Sequence, residues 1–151
     1  ATLQVIDMER LMLHVLCFHL NVETQYHHQL RASTACGLDA KAESIALCLA
    51  ELAALDYGMM PFAGATLAAA STALALVCCA GYDSRDASAA VARVSAGSGG
   101  GGGNDVAHLL ECARRLQLLF EGAATADYHS VFEKYSRTEY HCVAHTIVVP
   151  L

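Results

Sequence analysis

Histidine is the residue type that most directly suggests chemistry in this sequence, because eight histidines occur among 151 residues. His141 and His145 lie four residues apart, a spacing that can place two zinc ligands on one face of a helix. His27 and His28 are adjacent, and Cys142 follows His141. The sequence nevertheless contains no HExxH motif and offers no third ligand at a typical spacing. The pattern therefore favours surface or core histidines, and we predict no metal site.

The candidate nucleophiles and acids form no recognisable catalytic group either. No Ser or Cys lies in a nucleophile elbow or a comparable signature. No pair of carboxylates lies in an apolar setting, where one of them would need a raised pKa for acid catalysis. The seven cysteines form no C-x-x-C pair, which indicates a reducing, intracellular compartment. Five of them lie within apolar patterns, as small buried hydrophobic residues do: Cys17, Cys48, Cys78, Cys79 and Cys112. We therefore predict no enzyme, no cofactor and no small-molecule substrate.

Composition limits the class of protein. A chain of 151 residues with 55% apolar and 16% charged residues is long enough for one globular domain with a sizeable core. The formal net charge of -6 and the absence of a basic patch argue against nucleic acid as a partner. The first ten residues, ATLQVIDMER, lack the pattern of a signal peptide and do not begin with Met.

The elements that would position any site are organised around the stretch from Pro61 to Ala80. No charged residue occurs between Asp56 and Asp83, Pro61 suits the first turn of a helix, and Gly81 suits its end. A helix without a polar face must be surrounded, either by lipid or by other helices. The stretch is rich in Ala, contains Thr and Ser, and lacks flanking Lys or Arg. These features favour a buried central helix in a protein core, and we predict no membrane span.

The first helix is predicted to start near Thr2 or Asp7 and to continue to about Leu20. At about 100° per residue its apolar residues fall on two sides. The first side contains Met8, Leu11, Met12, Val15 and Phe18, and the second contains Ile6, Glu9, Leu13, Leu16, Cys17 and Leu20. Two apolar sides predict a helix that is sandwiched, or one that contacts another chain. Glu9 on the second side is either a carboxylate at the edge of a core or a partner-facing residue, and the segment alone favours the former.

Further helices are predicted along the rest of the chain, so the fold class is all-α. Thr24 is a candidate N-cap for a helix to about Ser33, with Tyr26 and Leu30 facing inward and His27 as a further candidate for that face. The other predicted segments are a helix from Asp39 to Leu55, a short helix from Ser84 to Val94, a flexible Gly-rich insertion near 95–104, a helix from Asp105 to Glu121, a helix starting at Asp127, and an extended tail from Thr146 to Leu151.

Several segments occur in an order and spacing typical of one family. They are MERLMLHVLCFHL, the VET start of the next helix, AKAESIALCLAELAALD, MPFAGATLAAASTALAL and FEKYSRTEYHCVA. The residues that match the family motifs are Met8, Glu9, Leu13, Phe18, Leu20, Glu43, Ser44, Ala46, Leu49, Glu51, Leu52, Pro61, Lys134, Tyr135, Tyr140 and Val143. In this pattern the chain resembles the carboxy-terminal part of an A/B-type mitotic cyclin, over Val5–Val77 and Asn104–Ala144.

The resemblance implies a specific architecture. Cyclins have two five-helix repeats, each with a buried third helix, and Pro61–Ala80 would be that helix of the second repeat. Residues 1–21 would then be the last helix of a first repeat that is otherwise missing. Residues 22–151 would be the C-terminal cyclin-fold domain, a five-helix bundle with the Gly-rich insertion.

The resemblance also implies a function in cell-cycle control, as a regulatory subunit that binds and activates a cyclin-dependent protein kinase in the nucleus and cytoplasm. By position, Glu9, Leu13 and Leu20 match residues that contact the kinase in this family, and Leu16 and Ile6 share their side of the helix. Because most of the first repeat is absent, we expect the chain alone to fold but to activate a kinase weakly or not at all.

The sequence departs from the family pattern at three places, and one alternative function remains. Phe62 follows Pro61 where the family usually has Ser, the Trp often found after the central helix is missing, and the Gly run replaces family sequence. The alternative is a cyclin-fold or other helical protein-binding scaffold that does not act on a kinase. A cyclin fold of the transcription-factor type would bind DNA and needs a basic face, which the net charge of -6 disfavours.

Overall fold

The computed structural model describes residues 2–80, 106–126 and 129–146, and all regular secondary structure among these residues is helical, with no strand. The α-helices are α1 (Thr2–Val15), α2 (Gln25–Cys36), α3 (Ala40–Leu55), α4 (Gly64–Ala80), α5 (Val106–Gly122) and α6 (Ser130–Tyr135). Single turns of 3-10 helix occur at Tyr57–Met59, Thr138–Tyr140 and Val143–His145. The predicted all-α fold is confirmed. None of the helices in the described ranges is both long and apolar enough to cross a membrane.

Helix α4 is the centre of the bundle, as its lack of charge predicts. It packs against α2, α3 and α5. Its fully buried positions are mainly small: Ala69, Ala70, Ser71, Thr72, Ala73, Leu74 and Ala75. Small side chains allow the axes of the surrounding helices to lie close to α4, and the larger residues of α3 and α5 fill the remaining space at core density.

The start of α4 differs from the prediction, because the helix begins at Gly64 and not at Pro61. The Phe62 N–H donates to the Met59 carbonyl at 3.1 Å, which extends the preceding turn past Pro61. This turn places the Phe62 ring in the core, against the His108 ring. The Leu67 N–H then donates to the Ala63 carbonyl, which is the first α-helical bond of α4.

The inward face predicted for α2 is wrong. Tyr26 and Leu30 are 58% and 43% exposed, whereas Gln29 is completely buried. The Gln29 amide nitrogen donates to the Thr72 hydroxyl at 2.9 Å, and the Ser71 hydroxyl donates to the Gln29 carbonyl oxygen at 2.8 Å. A buried amide is stable when its hydrogen bonds are satisfied, and two hydroxyls of α4 provide that satisfaction here.

The end of α1 also differs from the prediction, because the helix stops at Val15 and does not reach Leu20. The Cys17 N–H donates to the His14 carbonyl, and the Phe18 N–H donates to the Leu13 carbonyl at 3.0 Å. These two bonds form a Schellman motif, in which the chain reverses at the helix end. Cys17 and Phe18 adopt left-handed backbone conformations, with φ of 50° and 58°.

Helix α6 and the segment after it close the bundle over α3. Tyr135 and Val143 are buried, and the Tyr135 hydroxyl donates to a carboxylate oxygen of Glu51 on α3 at 2.9 Å. The ammonium of Lys134 donates to the same oxygen. Several predicted segments lie outside the described residues: the helix from Ser84 to Val94, the Gly-rich insertion near 95–104, the start at Asp127 and residues 147–151 of the tail.

Candidate functional site

Helix α1 exposes most of its apolar side chains, in contrast to every other long helix that the structure describes. From Gln4 to Val15 no residue is buried, and only Leu13 is half-buried. The large exposed hydrophobic residues of α1 and the following reversal are Val5, Ile6, Met8, Leu11, Met12, Val15, Leu16, Phe18 and Leu20. A contiguous apolar surface of this kind is normally covered, either by further sequence of the same protein or by a partner protein.

The exposed residues form a groove of about 680 Å³ between α1 and the reversal at its end. Its lining consists of Gln4, Val5, Met8, Glu9, Met12, Leu13, Leu16 and Leu20. We call this surface the α1 groove. It is apolar except for the Gln4 amide and the Glu9 carboxylate, so it can accept aliphatic side chains together with one hydrogen-bond donor or cation.

Four of the five residues predicted to bind a partner line the α1 groove. The structure brings Glu9, Leu13, Leu16 and Leu20 together on this surface. The fifth, Ile6, is 38% exposed and lies outside the lining. Leu20 reaches the groove by the chain reversal and not by the helical periodicity on which the prediction relied.

Sequence reasoning missed the other half of the α1 groove. Met8 and Met12 were assigned to the first apolar side of the helix, and Val5 was assigned to neither side. Met12 and Leu16 are only about 40° apart on a helical projection, so the groove runs across the boundary that the sequence suggested between the two sides. The close angular spacing of these residues is the signal that could have identified them.

Glu9 is the charged residue of the α1 groove, and it forms no ion pair or hydrogen bond with another described residue. The nearby charges pair elsewhere, since the Arg10 guanidinium lies 3.8 Å from the Asp7 carboxylate. Both of those side chains are well exposed on the polar side of the helix. The Glu9 carboxylate is therefore free to accept a hydrogen bond from a partner.

The residues that could perform chemistry are placed apart or used structurally. No group of three or more metal-ligating side chains occurs among the described residues. His141 has a left-handed backbone, so the spacing to His145 is not helical, and the His145 ring instead packs edge-on against Phe132. Burial raises the pKa of the Cys48 and Cys112 thiols to about 12, so both remain protonated and are poor nucleophiles.

The chain is similar to known cyclins. A family model described as "Cyclin, C-terminal domain" matches residues 23–148. Cyclin-B2-1 of Arabidopsis thaliana is 33% identical over 140 residues, which are 93% of this chain and 30% of the relative. The G2/mitotic-specific cyclin-B of Dictyostelium discoideum is 43% identical over 68 residues, 45% of this chain and 16% of the relative. The chain thus spans less than a third of the length of these curated relatives.

Proposed function

Because the chain belongs to the cyclin family, we propose that it is a regulatory subunit that binds and activates a cyclin-dependent protein kinase. The predicted resemblance to the carboxy-terminal part of a mitotic cyclin is confirmed by the family match and by the B-type relatives. Kinase binding and activation are proposals for this chain, and the α1 groove is the surface to which we assign the contact.

The observation that carries this proposal is the exposure of α1. The exposed apolar side chains of α1 are costly to leave in water. Covering the α1 groove with a second protein would remove this apolar area from water and would give Glu9 a donor. Protein–protein contacts of this composition concentrate their affinity in a few central apolar residues.

The proposal includes a division of the chain. We assign residues 1–21 to the last helix of a first cyclin repeat and residues 22–151 to the C-terminal cyclin-fold domain. The start of the family match at residue 23 supports this boundary. The Arabidopsis relative matches 93% of the chain, so its similarity extends into the segment before residue 23.

In this proposal the chain supplies no catalytic residue and needs no cofactor, nucleic acid or membrane. The kinase performs the phosphoryl transfer, and the chain acts by binding. The expected location in the nucleus and cytoplasm stays a prediction from the resemblance.

A binding experiment tests the assignment of the α1 groove. The affinity of the protein for a purified mitotic cyclin-dependent kinase is measured by biolayer interferometry for Leu13→Ala and Glu9→Ala. We expect Leu13→Ala to weaken binding about tenfold or more, because it truncates a central apolar contact. We expect a smaller loss for Glu9→Ala, and this loss shrinks at high salt because the contact is partly electrostatic.

Matched controls separate a local effect from a general one. Leu118→Ala removes an exposed leucine from α5, and Glu139→Ala removes an exposed carboxylate from the segment after α6. Both controls should bind like the unchanged protein. Unchanged affinity in both groove variants would remove the kinase from the α1 groove and would favour the alternative of a helical scaffold that does not act on a kinase.

A further inference from the structure

The end of α1 is built from residues that are unfavourable for its conformation. In a Schellman motif the residue after the helix adopts a left-handed backbone, and glycine is usual there because it has no Cβ. Helix α2 follows this rule: Gly37 has φ of 62°, and the N–H groups of Gly37 and Leu38 donate to the carbonyls of Thr34 and Ser33. Helix α1 makes the same two bonds with Cys17 and Phe18.

The α1 end also goes further than the α2 end, because two consecutive side-chain-bearing residues are left-handed there. A left-handed conformation brings Cβ close to the neighbouring carbonyl oxygen, so this arrangement is strained for both residues. A simple helix stop does not need the second left-handed residue, as α2 shows. The pair therefore has a consequence beyond ending the helix.

That consequence is the position of Leu20. In a continuous helix, Leu20 would lie about 10 Å further along the axis than Leu13. The reversal instead folds Leu20 back, so that it lines the α1 groove together with Leu13 and Leu16. The Leu20 N–H donates to the Phe18 carbonyl at 2.9 Å, and the Val22 N–H donates to the Leu20 carbonyl at 3.0 Å. These bonds fix Leu20 relative to the strained pair.

We infer that Cys17 and Phe18 are positioning residues for the α1 groove, acting through their left-handed backbones to place Leu20 on the partner-binding surface. This inference rests on the proposed kinase contact for its functional meaning. The geometric part, that the left-handed pair places Leu20 in the same groove as Leu13 and Leu16, can be measured without any kinase.

The experiment compares two substitutions at one backbone position. Cys17→Val introduces a β-branched residue, for which a left-handed conformation is an outlier, and should open the reversal. Cys17→Gly removes the Cβ and should preserve it. In the 151-residue chain, we expect NOEs from the Leu20 methyl groups to those of Leu13 or Leu16 in the Gly variant and their loss in the Val variant.

Kinase affinity supplies the second measurement. We expect Cys17→Val and Leu20→Ala each to weaken kinase binding about tenfold. The double variant Cys17→Val/Leu20→Ala should bind no worse than either single variant, because both substitutions remove the same Leu20 contact. Cys17→Gly should bind within about twofold of the unchanged protein. His14→Val is the control for adding valine, because the exposed His14 side chain does not line the α1 groove, and this variant should leave binding unchanged.

The outcomes separate this inference from the proposed function. Persistence of the NOEs in Cys17→Val, or independent additive losses in the double variant, would overturn the positioning role. Loss of the NOEs in Cys17→Val would support the geometric role of the pair. If Cys17→Val, Leu20→Ala and Leu13→Ala then all bound the kinase with unchanged affinity, the kinase contact would be overturned. The inference is supported in full if Cys17→Val loses both the NOEs and the kinase affinity and Cys17→Gly retains both.

Discussion

Substitution of Glu51 provides a sharp test of how the C-terminal part of the domain is attached to the bundle. One carboxylate oxygen of Glu51 accepts hydrogen bonds from the Tyr135 hydroxyl and the Lys134 ammonium. Tyr135 is almost completely buried, whereas the side chains of Lys134 and Glu51 are 38% and 40% exposed. Desolvation by burial, and then the hydrogen bond to Glu51, raises the pKa of Tyr135 above its ordinary value.

The magnitude follows from these different degrees of burial. The partly exposed ion pair between Lys134 and Glu51 contributes about 0–1 kcal/mol to stability, because solvent screens it. The buried Tyr135 hydroxyl costs about 1–3 kcal/mol if it is left without an acceptor. We therefore expect Glu51→Ala to lower the free energy of unfolding by about 2–3 kcal/mol. Glu51→Gln retains an acceptor oxygen, so its cost should be about 1 kcal/mol or less.

Urea denaturation followed by circular dichroism measures these differences, with an unchanged m-value as evidence that the denatured state is the same. Tyr135→Phe removes the donor and keeps the ring packing. The double variant Glu51→Ala/Tyr135→Phe should lose about 1–2 kcal/mol less than the sum of the single losses, because no hydroxyl is stranded. Glu139→Ala, an exposed carboxylate, should change stability by less than about 0.5 kcal/mol.

Two results would refute this reasoning. If Glu51→Gln destabilised the protein as much as Glu51→Ala, the loss would come from charge and not from a stranded hydroxyl. If the double variant showed the full sum of the single losses, Tyr135 and Glu51 would contribute independently. Either result would mean that the hydrogen bond between them does not attach α6 to α3.

Three further predictions concern the core. Gly64→Ala should lower stability by about 1–3 kcal/mol, because a Cβ there would lie 2.8 Å from the His28 ring carbon Cδ2; His28→Ala in the same chain should recover part of this loss in thermal melts. Gln29→Met should cost about 1 kcal/mol or more in urea melts, since it keeps the volume but removes the amide that donates to the buried Thr72 hydroxyl, while the Ser71 hydroxyl can still donate to the Leu67 carbonyl, and a neutral result would contradict the assigned network. The pKa values of Cys48 and Cys112 are raised to about 12 from 9.0, so the folded state holds these protons more tightly than the unfolded state. Their contribution to stability is complete below pH 9 and is lost as pH rises toward about 12, so urea midpoints should fall over that interval and should fall less steeply in Cys48→Ala.

Much of the fold could be predicted because its centre depends on a simple property. A long stretch without charge must be covered, and that requirement alone identified the buried helix in the middle of the chain. The inward face of α2 could not be predicted in the same way. Hydrophobic patterning predicts Gln29 to be a surface residue, whereas its burial is made favourable by the hydroxyls of Ser71 and Thr72 on α4, which is far away in the sequence.

The candidate site could be predicted only in part, for a local reason. The periodicity of α1 placed Glu9, Leu13 and Leu16 on one side, and the structure brings them together. The position of Leu20 depends on a reversal at Cys17 and Phe18, and no Gly or Pro in LCFHL marks it. Rules for recognising helix ends rely on Gly and Pro, so a helix end formed by other residues in a left-handed conformation is not recognisable from sequence.

The small side chains of α4 make the domain unequally sensitive to mutation in its centre. Ala69, Ala70, Ala73 and Ala75 have almost no side-chain volume to remove, so an alanine scan of the protein would pass over its most enclosed element. Enlarging any of them to Leu forces neighbouring helices apart, because there is no free space at the axis. Mutational tolerance in this domain is therefore limited by volume that is added at the centre, and by volume that is lost in the helices around it.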